Sequence, residues 1–143
     1  MIRFFNKQEE ASIIEAIREA ECVTSGEIRV HLEKKLKGDV LQTATRVFHE
    51  LGMDATEQRN GVLIFLAPHY KKFAIIGDKG INEKVPPGFW EDIRNVMQKY
   101  FREGNFVEGI RQGVRMVGEK LQAFFPYQSD DINELPDDIS YSQ

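Results

Sequence analysis

Apolar and polar residues recur with two different periods along this chain, and the changes of period mark its elements. The first stripe is helical: Ile13, Ile14, Ile17 and Ala20 share one face. Asn6 and Glu9 stand before it at capping-box spacing, in which the Asn side chain accepts from a free N–H and the Glu reaches back. This predicts a helix over 7–22, broken by Ser25-Gly26. The period then drops to two. In EIRVHLEK, Ile28, Val30 and Leu32 point one way and Glu27, Arg29, His31 and Glu33 the other, which predicts a strand with one well-buried face. Gly38-Asp39 opens a second helix with the stripe Val40, Leu41, Ala44, Val47, Phe48 and Leu51, and Gly52 suits the position just past its end.

GVLIFLA, residues 61–67, is apolar at every position, the pattern of a central strand covered on both faces. Pro68-His69-Tyr70-Lys71 is short enough for a hairpin turn, so the strand over 72–77 should run antiparallel. Pro86-Pro87-Gly88 opens a third helix, because a missing N–H costs nothing in the first turn. Its apolar face is Phe89, Ile93, Val96, Met97, Tyr100 and Phe101, and Gly104 ends it. Asn105 and Glu108 repeat the capping-box spacing before a fourth helix carrying Phe106, Ile110, Val114, Val117, Leu121 and Phe124. Gly109 and Gly113 weaken that helix by about 1 kcal/mol each, a loss that close approach to a neighbouring element would offset. The order α-β-α-β-β-α-α predicts an α/β fold: a three-layer α/β/α sandwich around a small mixed sheet. One domain is expected over 1–125, followed over 126–143 by a tail without periodicity, acidic and largely mobile.

Composition changes this picture in one respect. Of the net charge of −4, the tail contributes −5 through Asp130, Asp131, Glu134, Asp137 and Asp138, which leaves residues 1–125 at +1. A nearly neutral body argues against nucleic-acid binding, which needs a basic face. The tail could contact a basic surface, and its Ile132, Leu135, Ile139 and Tyr141 could dock on a groove of this or another chain. The single cysteine, Cys22, leaves no intrachain disulfide and no cysteine-based zinc site, and reads as a free buried thiol. No apolar run is long enough to span a membrane, and MIRFFNKQEE lacks the apolar core of a secretory signal, so the expected location is cytoplasmic.

Chain order also says where polar groups meet. If the first two strands are sheet-mates, their helical crossover makes them parallel, and the third strand runs back. Residues 24–27, 56–60 and 78–80 then share one end of the sheet. Glu27, Glu57, Asn60 and Asp78 would offer hard oxygen ligands there, joined by carbonyls of the loop over 80–83, and such donors suit calcium or magnesium. A plainer account stands beside this: Asp before Lys-Gly and Asn-Gly are ordinary turn sequences, and Glu27 could pair with Lys79 or Arg59 for under about 1 kcal/mol. No fixed-spacing metal motif is present, and His31, His49 and His69 form no pair at ligand spacing and read as surface or satisfied polar residues. Phe89 and Trp90 cannot both face the core, which puts Trp90 near the site entrance or a partner surface.

TSGEIRVHLE, RNGVLIFLAPHYKKFAIIGDKGI and FREGNFVEGIRQGV, in this order, resemble the TPM domain, named for plant thylakoid and worm proteins; the likeness runs over about residues 5–125. The resemblance implies an α/β/α sandwich that binds divalent cations, calcium especially, through acidic loop residues at one sheet end. For the plant thylakoid members it implies acid phosphatase activity. Many members carry a signal peptide and a spanning segment; this sequence looks like a short cytoplasmic branch with neither. Where many members have an acidic residue before Asn-Gly, this chain has Arg59, a loss that Asp78 could compensate.

The sequence offers no thiolate phosphate loop (Cys22 is followed by Glu27 at the Arg offset), no Asp-x-Asp and no Arg-His-Gly. Phosphoester hydrolysis would therefore need water polarised on a cation, with Glu27 or Asp78 as base. The expectation is a calcium- or magnesium-binding protein, contacts Asp78, Glu27, Asn60 and Glu57, acting mainly as a binding or interaction module that could take a protein partner. The alternative is a cation-dependent phosphatase at the same place.

Overall fold

The computed structural model describes residues 4–127 and 138–142. Helix α1 (Lys7–Ala20) begins on the capping box read above: Asn6 accepts from the Glu9 N–H, and Glu9 accepts from the Asn6 N–H. It stops two residues early. Residues 21–23 turn away from the core, so Cys22 is exposed, not buried. Strands β1 (Glu27–Leu32) and β2 (Gly61–Ala67) are parallel, with Glu27 opposite Gly61 and Leu32 opposite Leu66. Helix α2 (Val40–Glu50) connects them, capped by the Asp39 side chain and closed by Gly52 in the left-handed region at φ 72°. Leu41, placed on the buried stripe from its spacing, is 56% exposed, and Thr43 is buried instead. Strand β3 (Lys72–Gly77) pairs antiparallel with β2 after one 3-10 turn over Pro68–Tyr70.

One turn of helix, α3 (Lys79–Asn82), occupies what reads in sequence as a loop. Helix α4 (Glu91–Arg102) begins after Gly88, whose φ of 80° keeps it outside any helix, so the Pro-Pro-Gly segment is a turn ahead of the helix. Helix α5 (Phe106–Leu121) follows, but the second capping box does not form: Asn105 makes no side-chain cap, and Glu108 accepts from Arg111 and Gln112. The glycines of α5 admit its neighbours. A Cβ on Gly109 would stand 2.5 Å from a ring carbon of Phe101, one on Gly113 2.5 Å from the Met97 sulfur, and one on Gly118 2.9 Å from Ala20 Cβ. Helices α4 and α1 therefore pack on α5 at backbone distance.

The sheet order is β3-β2-β1-β4. Strand β4 (Ile139–Tyr141) lies parallel to β1, with Ile139 opposite Val30, so two of the apolar residues of the tail dock on this chain itself. Residues 128–137, including Ile132, Leu135 and four of the five tail acids, lie outside the described residues; so do 1–3 and 143. One face of the sheet buries Ile28, Val30, Val62, Ile64 and Leu66 against α1, α4 and α5. The other buries Leu63, Phe65, Ala67 and Ala74 against α2 and Met53. This is the three-layer α/β/α arrangement, with β2 buried at all of its positions. Among the described residues no helix is long and apolar enough to cross a membrane.

Strand β1 differs from expectation in having both faces buried. His31 stacks on Phe65 (centroids 5.5 Å apart) and is only 5% exposed. Its ring nitrogens meet Ser140 Oγ at 2.8 Å and Glu33 Oε1 at 3.0 Å, so it is a satisfied polar residue that ties β4 to β1. Burial holds its pKa below the ordinary 6.5, only partly offset by Glu33. As pH falls, the unfolded chain therefore takes up this proton before the folded chain does. Stability is complete above about 6.5 and is lost as pH falls toward the folded value. Denaturation midpoints followed from neutral pH down to about 5 should show that decline, and His31→Gln should start lower but flatten it; an equal slope in both proteins would assign the decline to other groups.

Candidate functional site

The end of the sheet at which β1 and β2 begin and β3 ends carries the polar cluster foreseen from chain order. Glu27 stands opposite Gly61, and the Asp78 N–H donates to the Gly61 carbonyl at 2.9 Å, which extends the β2–β3 register by one residue. Glu27, Gly61 and Asp78 thus form one row across the sheet, with Glu27 and Asp78 about 10 Å apart at Cα, two strand spacings. The row lies on the α2 face, one register step from Leu63 and Ile76. Gly61 has no side chain there because the main-chain oxygen of Met53 occupies the place: a Cβ on Gly61 would lie 2.9 Å from it. Glu27 and Asp78 are 4% and 5% exposed.

Asp78 is held by three hydrogen bonds. Arg59 approaches as a fork, Nε to Oδ2 at 2.8 Å and a terminal nitrogen to Oδ1 at 3.0 Å. The Lys79 N–H donates to Oδ1 at 2.7 Å, so the same carboxylate caps α3. Two parallel charge-assisted bonds are the geometry in which a guanidinium binds a carboxylate best. In return Asp78 holds the Arg59 pKa above its ordinary value, chiefly through the hydrogen bonds. The Arg59 side chain remains 42% exposed, which makes the pair a rim feature that water can reach. Its backbone is left-handed at φ 51°, one of two non-glycine residues so placed among the described residues. In the sequence Arg59 reads as a lost ligand; its offset of 19 residues from Asp78 gives no local signal that the two would pair.

Asn60 is 2% exposed and sews loops together. Its N–H donates to Thr56 Oγ1, its side-chain amide donates to the Ser25 carbonyl at 3.2 Å, and its own carbonyl accepts from the Glu27 N–H at 3.2 Å. Its Oδ1 faces Thr56 Oγ1 at 3.5 Å. Glu57 lies in the same loop but is exposed. Trp90 lies over Gly77, where a Cβ would come within 2.6 Å of its ring, and packs on the α4–α5 face of the sheet, opposite to the face that carries Glu27 and Asp78. His49 and His69 are exposed and distant in the chain from one another's partners, His49 meeting Asp54 and His69 meeting Phe4.

The donor set at this rim is hard: the carboxylates of Glu27 and Asp78 and the carbonyl oxygen of Met53, the last invisible in sequence. Such oxygens suit calcium or magnesium and not the softer transition metals. The set is also incomplete as it stands. Among the described residues no group of three or more His, Cys, Asp or Glu side chains is placed to hold a metal ion, and Asp78 already holds a cation, the guanidinium of Arg59. The arrangement would fit a hard cation only where Arg59 yields Asp78.

The family model for the TPM domain matches residues 2–120. Among solved structures, the chain is similar to the BA42 protein of the psychrophilic bacterium Bizionia argentinensis, 48% identical, with a TM-score of 0.94 over 99% of this chain and 98% of that one. Two others share the fold: the N-terminal domain of a protein from P. gingivalis (21% identical, TM-score 0.68, 85% and 78% covered) and that of the cg2496 protein from Corynebacterium glutamicum (13% identical, TM-score 0.65, 98% and 81% covered). No curated protein matches.

The loop that carries Arg59 is seated on a glycine. A Cβ on Gly80 would fall 2.1 Å from the Gln58 carbonyl oxygen and 2.7 Å from that of Arg59, both backbone atoms. Gly80→Ala should therefore push the Arg59 loop off α3 and cost about 3 kcal/mol, the upper range for overpacking. Urea denaturation measures this; a loss below about 0.5 kcal/mol, within surface-substitution scatter, would mean the loop gives way freely.

Proposed function

This chain belongs to the TPM domain family, and from that premise we propose that it is a binding module whose ligand is a divalent cation, calcium or magnesium, taken at the strand-end row. The observation that carries the reading is the row itself: two buried carboxylates, Glu27 and Asp78, flank a position where a backbone carbonyl replaces a side chain. Arg59 holds Asp78 in the cation-free protein, so the cation binds by exchange. Released, Arg59 moves with its loop, and the 56–60 and 78–83 segments change their surface toward a protein partner. Cation affinity then adds directly to the stability of the folded state.

Titration with calcium and with magnesium should shift the amides of 25–27, 53, 57–60 and 78–83 together. Asp78→Asn should abolish those shifts. Arg59→Ala should tighten binding about fivefold, the size expected for removing one partly exposed competing ion pair. Weaker binding by Arg59→Ala would contradict the exchange, and shifts confined to the C-terminal acids would place the cation elsewhere.

A second reading, cation-dependent hydrolysis of phosphoesters, is favoured by the same fork. A guanidinium freed from a carboxylate is a bidentate partner for phosphate, and it would stand at the rim beside the cation. With a cation bound, water polarised on it would attack phosphorus and give its proton to Glu27, while the ester P–O bond breaks and the alcohol leaves, taking up a proton from Glu27 or solvent. Turnover of p-nitrophenyl phosphate should then vanish with chelator and with Asp78→Asn, while Arg59→Lys should raise KM. Turnover that survives chelation would sink this reading and leave the binding module standing.

A further inference from the structure

The opposite end of the sheet is built differently. Four aromatic rings run there without a break: Phe73 meets Phe101 at 5.0 Å between centroids, Phe101 stacks on Phe106 at 5.6 Å, and Phe106 meets Phe4 at 5.4 Å. None is fully buried, and Phe4 is 36% exposed. These rings line a recess of about 770 Å³ between the β2–β3 turn and the α4–α5 turn. That volume is in the range of small-molecule sites, which are apolar concavities with a few polar groups at fixed places.

Among the described residues, the charged side chains lining the recess are all of one sign. Lys71, Lys72 and Arg102 line it, no acidic residue does, and none of the three makes an ion pair among the described residues. Lys71 is the second non-glycine residue with positive φ, at 54°, held by its N–H to the Pro68 carbonyl. A side chain kept at a rim by an unfavourable backbone geometry is a feature that function maintains more readily than stability does.

An apolar floor with cations at the mouth is complementary to a molecule with an apolar body and one negative end. We propose that this recess binds a free amphipathic carboxylate, its acyl or aryl body on the rings of Phe73, Phe101 and Phe106 and its carboxylate at Lys71, Lys72 and Arg102. The site is separate from the strand-end row and does not depend on the cation reading.

Dodecanoate, kept below its micelle concentration, tests this with dodecanol as the uncharged control. The expected result is saturable shifts at 68–73 and 98–106, with 25–27 and 78–80 unmoved, and weaker binding of dodecanol. Lys71→Glu with Lys72→Glu, both exposed, should weaken dodecanoate about tenfold, from two reversed charges in high dielectric, with native amide dispersion kept. Phe4→Ala should weaken both probes. Equal binding of acid and alcohol, indifference to the double charge reversal, or no saturation by about 1 mM (a binding energy no better than one weak contact set) would each overturn the proposal. Binding to phosphatidylglycerol vesicles without binding of free dodecanoate would overturn it in favour of a lipid surface.

Discussion

A carboxylate buried at the end of an antiparallel strand costs free energy unless donors match it. Asp78 is that carboxylate, and the Arg59 fork with the Lys79 N–H matches it. The rest of the strand-end follows from this match. It caps α3, it holds the loop before β2 against the turn after β3, and Gly80 lets the two backbones meet. It also decides the chemistry available. A carboxylate gripped by a guanidinium is already matched by the chain's own cation, and an external cation would have to displace a partner that is tethered but open to water.

How much of this was legible in the sequence depends on the range of the signal. The all-apolar run over 61–67 identified the central strand, and with one helical crossover and one tight turn it determined which three loops share a rim. Glu27, Asn60 and Asp78 do gather there. The Arg59–Asp78 pairing was not legible, because it depends on a left-handed backbone at Arg59 that no residue type announces. The Met53 carbonyl was beyond reach for a similar reason: backbone oxygens carry no letter. Local rules misjudged two ends. The Asn105 box failed where its Glu108 found Arg111 and Gln112 one turn on, and α1 ended before Cys22, which left the thiol in water. Strand β4 was hidden by its length, since three residues show no periodicity, although Ile139 and Tyr141 had marked themselves as candidates for docking.

The two ends of the sheet divide the molecule's chemistry. One is a row of carboxylates and a carbonyl, tied to a guanidinium; the other is a path of aromatic rings under lysines and an arginine. Each end holds one of the two non-glycine residues with positive φ among the described residues, Arg59 and Lys71, and in both cases the residue is a cation. The sheet between them is closely packed, with β2 buried throughout and the helices held at backbone distance by the glycines of α5.

The most direct measurement follows the Arg59 side chain itself. Its Nε–H resonance, assigned by Arg59→Lys, should be protected from water exchange in the cation-free protein and should lose that protection in step with calcium binding at Asp78. Calcium binding at the row with the Arg59 signal unchanged would contradict exchange as the mechanism. No binding at millimolar calcium would contradict the cation reading as a whole.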